Sequence, residues 1–587
     1  MSNNGRISTE LAECLKGTAF IAACEQCGRC SAACPLTGKD GYNIRRIIRH
    51  LQLDFVEDIA DSPYPWSCVA CARCEQACPN DMGILAAIRA LRRISPDERV
   101  PVGPACVLAC PAHIDIPGYV RLIAQGRIDD SYALIREKVP FPGILGRVCT
   151  RPCESACKRG EVNAPVAICH LKRYVADNKS AALEKALRAG PETGRKVAVV
   201  GSGPAGLTTA YYLRRKGHQV TIFEARSEPG GMMRYGIPSY RLPQEVLDEE
   251  INQILDLGIE LRTGWRLGKD FDLAQLKSEG YDAVFLAVGA QLSRKIELEG
   301  SDLDGVLWGL DFLTGVREGR QIPIRDVVLV IGGGNVAVDV ALTALRLGAK
   351  EVTMACLESR EEMPANRWEI ELAIAEGVRL MPSWGPARVL GARGKVSGME
   401  LVRCTSVFDA NRVFRPTFDD SVRQTVETAQ IILAIGQLSD LSFVDAVGSL
   451  EVTHGVVTAN SDTQETSVAG VYAGGDVTRM PGSIIEAIAA GRRAAISIDR
   501  FLGGNGIIDD VFAERISPDG YTGARESGFA DLARVEIPKL PVDERCGSFA
   551  EVHLGYDAEQ AACEAKRCLQ CDFELAIARA AYAAAGV

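Results

Sequence analysis

The chain has 587 residues, of which 24% are charged and 47% apolar, and its formal net charge is −10. Length and composition predict a soluble globular protein of about three to five domains. The acidic balance argues against a nucleic-acid partner, and no apolar run reaches the roughly 18 residues of a transmembrane helix. The first residues are polar and lack the basic and apolar regions of a secretory signal, so we expect a cytoplasmic protein.

Cysteine is the unusual component of this composition. The chain has 21 cysteines, and none lies between residues 170 and 355. Disulfides are rare in a reducing cytoplasm, so metal ligation is the better expectation. The uneven distribution predicts cysteine-rich modules around a cysteine-poor centre.

The first module contains one cysteine pattern twice. Cys24-x2-Cys27-x2-Cys30-x3-Cys34 is followed by proline, and the same spacing recurs in Cys68, Cys71, Cys74 and Cys78. This is the bacterial ferredoxin spacing for [4Fe–4S] clusters, in which the fourth cysteine ligates the other cluster. We therefore expect one cluster on Cys24, Cys27, Cys30 and Cys78, and another on Cys34, Cys68, Cys71 and Cys74. Zinc is the alternative, but zinc sites rarely show this doubled order.

A helical insertion separates the two copies, because apolar residues recur with helical period between residues 42 and 55. With this insertion, residues 15–95 resemble the C subunit of heterodisulfide reductases. The resemblance implies electron relay and docking to another protein rather than catalysis in this module.

A second cysteine region follows a proline-rich linker at 95–104. It contains Cys106, Cys110, Cys149, Cys153 and Cys157. It resembles the N-terminal domain of the glutamate synthase small subunit and of dihydropyrimidine dehydrogenase, a family that carries two more [4Fe–4S] clusters there. This chain lacks the family's cysteine pair just before Cys106, but a matching pair, Cys568 and Cys571, occurs near its end.

The resemblance implies two ligand sets. Our hypothesis is that Cys568 and Cys571 fold back to join Cys106 and Cys157, while Cys110, Cys149 and Cys153 hold the other cluster. The alternative is that the late pair is merely exposed. The family's fourth ligand of the other cluster is a Gln or Glu, and Lys172, which cannot ligate iron when protonated, stands in its place. Cys169 is the substitute candidate; a buried, unligated thiol is an equal alternative.

The cysteine-poor centre begins with a dinucleotide-binding βαβ unit at 196–223. An apolar strand leads into Gly201-x-Gly203-x-x-Gly206, a helix follows, and a second strand ends at Glu224. The glycines allow the tight turn, the approach of a pyrophosphate and close helix packing, and the acidic residue binds the ribose. About 130 residues later the pattern returns as Gly332, Gly334 and Ala337, with Glu358 after the second strand.

Two such units imply two nucleotides, with FAD on the first and NAD(P) on the second. The segments 230–243, which includes Gly231, and 361–367 extend the resemblance to the glutamate synthase small subunit family over residues 105–575. By resemblance to two-dinucleotide flavoproteins, Asp476, which follows Gly475, bonds the ribityl chain of the flavin. The redox-active dithiol of related reductases is missing, so electrons are expected to leave the flavin through the clusters.

The family's NADP-specific members carry an arginine pair after the second strand of the NAD(P) unit. Leu357 and Glu358 occupy that place here. A carboxylate accepts ribose hydroxyls and repels a 2′-phosphate, so we predict a preference for NAD(H) over NADP(H). The alternative is that Arg360 or Arg367 binds the phosphate.

Together these patterns predict a multidomain α/β protein, with helical iron–sulfur domains followed by two Rossmann-like dinucleotide-binding domains. The expected boundaries are 1–100 and 101–185 for the iron–sulfur domains, 186–315 and 441–505 for FAD, 316–440 for NAD(P), and 506–587 for a C-terminal strap. The expected function is electron transfer between NAD(H) and a partner protein in a hetero-oligomer. The alternatives are the NAD(P)H-oxidising subunit of a glutamate synthase and an electron-bifurcating flavin subunit. Cys14, Cys356, Cys404, Cys546 and Cys563 are left as ordinary thiols.

Overall fold

The computed structural model describes residues 21–180, 188–480 and 482–584. The expectations about the first residues and about Cys14 lie outside the described residues. Within the described residues, no helix combines the length and the hydropathy needed to span a membrane.

The first module is a small helical domain whose core carries the two ferredoxin motifs. Its helices are Arg29–Ala33, Ile44–Gln52, Val56–Ala60, Tyr64–Ser67, Arg73–Gln76 and Ile84–Ile94. The predicted insertion helix is confirmed but is shorter than 42–55. It begins where the Asn43 side chain accepts a hydrogen bond from the Arg46 N–H, a typical N-cap. Its apolar side chains at 44, 47, 48 and 51 are buried.

The second module is also helical. Its helices are Ala105–Leu108, Ile116–Ala124, Ile128–Arg136, Pro142–Val148, Pro152–Ser155 and Ile168–Asp177. The helices Pro142–Val148 and Ile168–Asp177 pack closely because Gly146 has no side chain: a Cβ there would lie 2.5 Å from the Cα of Arg173.

The centre contains two five-stranded parallel sheets, which confirms the predicted fold class. The strand order of the first is Val471–Ala473, Ala283–Leu286, Lys196–Val200, Gln219–Glu224, Glu260–Thr263. The order of the second is Val306–Trp308, Gln430–Leu433, Val327–Ile331, Glu351–Cys356, Arg379–Pro382. The helices of this centre are Pro204–Arg215, Met232–Tyr235, Gln244–Leu255, Leu273–Ser278, Gly309–Arg317, Asn335–Arg346, Arg367–Ala375 and Ile484–Phe501.

The boundary between the two central domains lies earlier than predicted. The edge strand Val306–Trp308 pairs with the second sheet, and residue 316 falls inside the helix Gly309–Arg317. The second domain also carries an unpredicted antiparallel sheet of Trp384–Ala392, Lys395–Phe408 and Phe414–Glu427. Two short strand pairs complete the centre: Leu292–Ser293 with Gln437–Leu438, and Val452–Thr453 with Val456–Val457.

The C-terminal region crosses the surface as an extended segment and then returns to the N-terminal half. Between residues 506 and 557 the longest regular element is the helix Val542–Cys546. The helix Ala558–Lys566 then packs on Ile116–Ala124, and Cys571–Ala584 packs on Ile84–Ile94. This is the region expected to form a strap, and its last part is helical.

Candidate functional site

The first glycine-rich turn has the backbone that its sequence predicts. Gly201 has φ +105°, and a Cβ on it would lie 2.4 Å from the carbonyl oxygen of Ala287. A Cβ on Gly206 would lie 2.0 Å from the carbonyl oxygen of Gly201, so the helix approaches the strand only because this residue is glycine. A Cβ on Gly203 would meet nothing within 4 Å. The turn therefore leaves the N–H groups of the helix N-terminus accessible to a diphosphate.

A cavity of about 560 Å³ lies above this turn. Six of the seven residues predicted at the FAD site line it, and Gly206 does not: the six are Gly201, Gly203, Glu224, Gly231, Gly475 and Asp476. The helix Ile484–Phe501 points its N-terminus into the same cavity, where Ser483 and Glu486 form a capping box. The volume is typical of a cofactor site, so these residues fit FAD. No cysteine is among the described residues that line the cavity.

Two carboxylates of this cavity differ in their surroundings. Glu224 is held by the backbone, because its Oε2 accepts the Ser202 N–H at 3.0 Å and its Oε1 accepts the Arg226 N–H at 2.8 Å. Asp476 is half-buried, and burial together with the nearby charge of Glu486 raises its pKa to about 6. Asp476 therefore lacks a compensating cation and is suited to bond hydroxyl groups of a cofactor.

The second glycine-rich turn repeats this geometry at the other sheet. Gly332 has φ +144°, and a Cβ on it would lie 2.2 Å from the carbonyl oxygen of Ala434. Ala337 is fully buried in the following helix, while the space around Gly334 is open. The carboxylate of Glu358 reaches this turn, since its Oε2 would lie 2.7 Å from a Cβ on Gly333. Burial raises the pKa of Glu358.

The segment 361–367 closes on the second turn, which its sequence did not indicate. The Ala365 N–H donates to the Gly333 carbonyl at 3.1 Å, and the Asn366 N–H donates to Oδ1 of Asn335 at 2.8 Å. Asn335 was not among the predicted site residues. Its place directly after Gly334, at the first turn of the helix, was the signal that could have identified it.

The structure brings the eight cysteines of the first module together in two groups. Cys24, Cys27, Cys30 and Cys78 line one small cavity. Cys34, Cys68, Cys71 and Cys74 line another. Each group mixes the two motifs in the way that bacterial ferredoxin ligation requires. Among the described residues, no three His, Cys, Asp or Glu side chains lie close enough together to bind a single metal ion. A [4Fe–4S] cluster does not need such closeness, because each of its four thiolates binds a different iron.

The second module and the C-terminus contribute a third group. Burial and the neighbouring thiols of Cys568, Cys571 and Cys157 raise the pKa of the Cys106 thiol. Burial and the neighbouring thiols of Cys568 and Cys157 raise the pKa of Cys571 to about 12. Two pairs of thiols that the sequence separates by more than 400 residues therefore lie close together, as the fold-back hypothesis expects.

A fourth group surrounds Lys172. Burial opposes the charge of this lysine, but the neighbouring thiols of Cys149, Cys169, Cys153 and Cys110 outweigh burial and raise its pKa. Cys110, Cys149 and Cys153 are buried. Cys169 is buried beside them, but its thiol lies 3.3 Å from the carbonyl oxygen of Leu145 and 3.2 Å from that of Gly146. Both acceptors require a protonated thiol, so this geometry opposes the use of Cys169 as a ligand.

The group around Lys172 is the most buried of the four, and the group that contains Cys27 has an exposed cysteine. The group around Lys172 and the wall of the FAD cavity belong to one apolar core, which contains Cys110, Cys149, Ala205 and Ile485. The third group adjoins the first module, where Cys571 packs against the core that contains Cys71 and Cys74.

The remaining thiols stand apart from these groups. Cys356 and Cys404 are buried in the second dinucleotide domain, Cys546 is half-buried, and Cys563 is exposed. Cys356 lies at the end of the strand that leads to Glu358.

Three family models match separate parts of the chain. Residues 23–82 match a 4Fe-4S dicluster domain, and residues 101–183 match domain II of dihydropyrimidine dehydrogenase, described as a 4Fe-4S cluster domain. Residues 195–491 match the pyridine nucleotide-disulphide oxidoreductase model.

Several curated proteins are similar over most of the chain. The beta subunit of an NADP(+)-dependent formate dehydrogenase from Moorella thermoacetica is 38% identical over 79% of this chain and 70% of its own length. The small chain of Escherichia coli glutamate synthase [NADPH] is 34% identical, over 68% of this chain and 89% of its own. The subunit PreT of an NAD-dependent dihydropyrimidine dehydrogenase from Salmonella typhimurium is 32% identical, over 68% and 91%.

Proposed function

We propose that this chain, which belongs to the pyridine nucleotide-disulphide oxidoreductase family, transfers electrons between NAD(H) and a partner protein through a series of four [4Fe–4S] clusters. It is an oxidoreductase that uses FAD, NAD(P) and [4Fe–4S] clusters. When bound, FAD supplies the conversion between hydride transfer and single-electron transfer.

One observation carries the proposal: continuous apolar cores connect the FAD cavity, the cysteine groups of the second module and the first module. Cys110 and Cys149 share a core with the cavity wall, and Cys571 touches the core of the first module. The cavity wall contains no cysteine among its described residues, so a dithiol relay has no support there. We assign the four groups as ligand sets, of which the one around Lys172 has three cysteines.

The residues of the chain bind and orient rather than react. The backbone at Gly201 and Gly203 fits a pyrophosphate, Glu224 a ribose, and Asp476 the ribityl hydroxyls. The N-terminus of the helix Ile484–Phe501 presents a positive dipole to the cavity. The apolar cores around the buried thiols keep water away and so set the potentials of the clusters.

The test is anaerobic reduction of the purified holoenzyme by NADH. We expect bleaching of the flavin absorbance, followed by the electron paramagnetic resonance signals of reduced clusters. Iron analysis should give about 16 irons per chain for four clusters. An unchanged flavin spectrum would overturn the proposal. About eight irons per chain would also overturn it, because only the first module would then contain clusters.

The preference for NAD(H) is the finer part of the proposal. It is supported by Glu358, whose carboxylate reaches the second glycine-rich turn and would repel a 2′-phosphate. The names of the 38% and 34% identical proteins contain NADP, and that of the 32% identical protein contains NAD, so the names do not support this part of the proposal.

Steady-state kinetics with both nucleotides decides it. We expect a higher kcat/KM with NADH than with NADPH, and a shift toward NADPH of roughly tenfold in Glu358→Gln, corresponding to about 1.4 kcal/mol. Glu361→Gln is the matched control, because Glu361 is exposed three residues further on. A wild-type preference for NADPH would overturn the prediction.

A second candidate function is the NAD(P)H-oxidising role in a glutamate synthase, favoured by the 34% identity with a glutamate synthase small chain. The first module, with its two cysteine groups, favours a different partner. Reconstitution with a glutamine-dependent large subunit would distinguish them, because only a glutamate synthase partner would yield glutamate. Electron bifurcation, the third possibility, would require a second acceptor for NADH oxidation.

A further inference from the structure

The cysteine group around Cys27 opens to the surface beside a helix with an arginine face. The helix Ile44–Gln52 buries Ile44, Ile47, Ile48 and Leu51 and exposes Arg45, Arg46 and Arg49 on its other side. Arg29 is exposed at the start of the helix that follows Cys27 and Gly28. We call Arg29, Arg45, Arg46 and Arg49 the arginine patch.

The patch borders the cysteine loop through direct contacts. The guanidinium of Arg45 packs against Gly28 and lines the cavity of this group. Arg49 donates to the side chain of Gln52 at 3.3 Å, and the amide of Gln52 donates to the Cys24 carbonyl at 2.9 Å. The cationic side chains are thus set around the point where this group is closest to solvent.

The arginines of the patch are not held in ion pairs within the described part of the chain. None of the four arginines forms an ion pair with a carboxylate there, although Arg73, Arg89 and Arg92 of the same module do. Segment 21–56 contains five basic and three acidic residues, whereas the whole chain has a net charge of −10. A cationic face on an acidic protein selects a partner by charge.

Two apolar side chains adjoin the patch. Leu53 and Phe55, directly after the helix, are 48% and 52% exposed. An exposed aromatic residue among arginines is typical of the side chains that anchor protein interfaces. Such an anchor distinguishes a docking face from a merely solvated charged helix.

We propose that the arginine patch, with Leu53 and Phe55, is the docking surface for an acidic electron-transfer protein, which exchanges electrons with the cluster on Cys24, Cys27, Cys30 and Cys78. The proposal rests on the proposed function. One electron passes at a time between this cluster and the redox centre of the docked partner. Oxidation of one NADH supplies the electrons for two such transfers, and in the opposite direction two transfers reduce one NAD+. Electrostatic attraction raises the rate of encounter and makes it dependent on salt.

The experiment uses the full-length holoenzyme, reduced by NADH, and two protein probes of opposite charge. The probes are an acidic plant-type [2Fe–2S] ferredoxin and basic horse-heart cytochrome c. The test variant is Arg29→Glu/Arg49→Glu, which leaves Arg45, a residue of the cluster cavity, unchanged. The control is Arg412→Glu/Arg415→Glu, which makes the same charge change at exposed arginines of the antiparallel sheet.

At low ionic strength we expect the test variant to reduce the ferredoxin about tenfold more slowly than wild type, with the control within about twofold. High salt should remove the difference, and cytochrome c should not lose rate in the test variant. Equal losses in both variants, or no loss in the test variant, would overturn the docking surface. Flavin bleaching by NADH is recorded for every variant, because its failure in wild type would instead refute the proposed function.

Discussion

The two iron–sulfur modules build similar sites by opposite routes. In the first, all eight cysteines come from the segment 24–78, and each group combines three cysteines of one motif with the fourth cysteine of the other. In the second, Cys106 and Cys157 meet Cys568 and Cys571, which follow both dinucleotide domains in the chain. The first site depends on local spacing, whereas the second depends on the docking of the C-terminal helices, so cluster binding there is coupled to tertiary folding.

The largest expected effect comes from removing Cys568 and Cys571, the two C-terminal cysteines of the third group. We expect Cys568→Ser/Cys571→Ser to lower the iron content from about 16 to about 12 per chain. The relay is then broken between the FAD cavity and the first module, so reduction of a protein acceptor should fall by roughly 100-fold. Flavin reduction by NADH, which occurs before the break, should keep its rate.

Cys563→Ser is the control for this pair, because Cys563 is exposed on the preceding helix. It should keep all of the iron and the full rate. Unchanged iron in the double variant would show that the C-terminal thiols are not ligands, and the comparison between local and distant assembly would fail.

The docking of the last helix can be weakened without touching a cysteine. Glu574 accepts hydrogen bonds from Arg89 at 2.8 Å and from Arg92 at 2.9 Å, and all three side chains are buried or nearly so. Breaking a buried pair from one side costs about 3–5 kcal/mol. In Glu574→Gln we expect faster amide hydrogen exchange in the helix Cys571–Ala584 and faster iron loss from the third group.

The same contact gives a dependence on pH. Burial opposes the ionisation of Glu574, but the hydrogen bond from Arg89 and the charge of Arg92 outweigh burial and lower its pKa. The stabilisation is therefore complete above the usual pKa of a glutamate and is lost as pH falls through the lowered value.

Glu559→Gln, at an exposed site on the preceding helix, should leave exchange unchanged. Equal exchange in wild type and Glu574→Gln would contradict the proposed docking contact.

The sequence predicted those parts of the molecule whose chemistry is local. Gly201 and Gly332 take positive-φ backbone conformations, which glycine adopts without strain, in turns that a short motif specifies. The antiparallel sheet in the second domain was missed, because its strands are polar and alternate weakly. Its hairpin had one sequence signal, Gly394, because both turn residues, Arg393 and Gly394, have positive φ, and such turns favour glycine. The arginine patch could not be predicted, because ion pairing depends on tertiary neighbours.

The smallest expected effect tests the incomplete fourth group. The Cys169 thiol donates to the carbonyls of Leu145 and Gly146, and a thiolate would be repelled by both oxygens. We therefore expect Cys169→Ser to keep about 16 irons per chain, because serine can donate the same hydrogen bonds. Cys149→Ser, in the same buried group, should lose about four irons. Equal losses in both variants would make Cys169 the fourth ligand and would require its side chain to rotate toward the cluster.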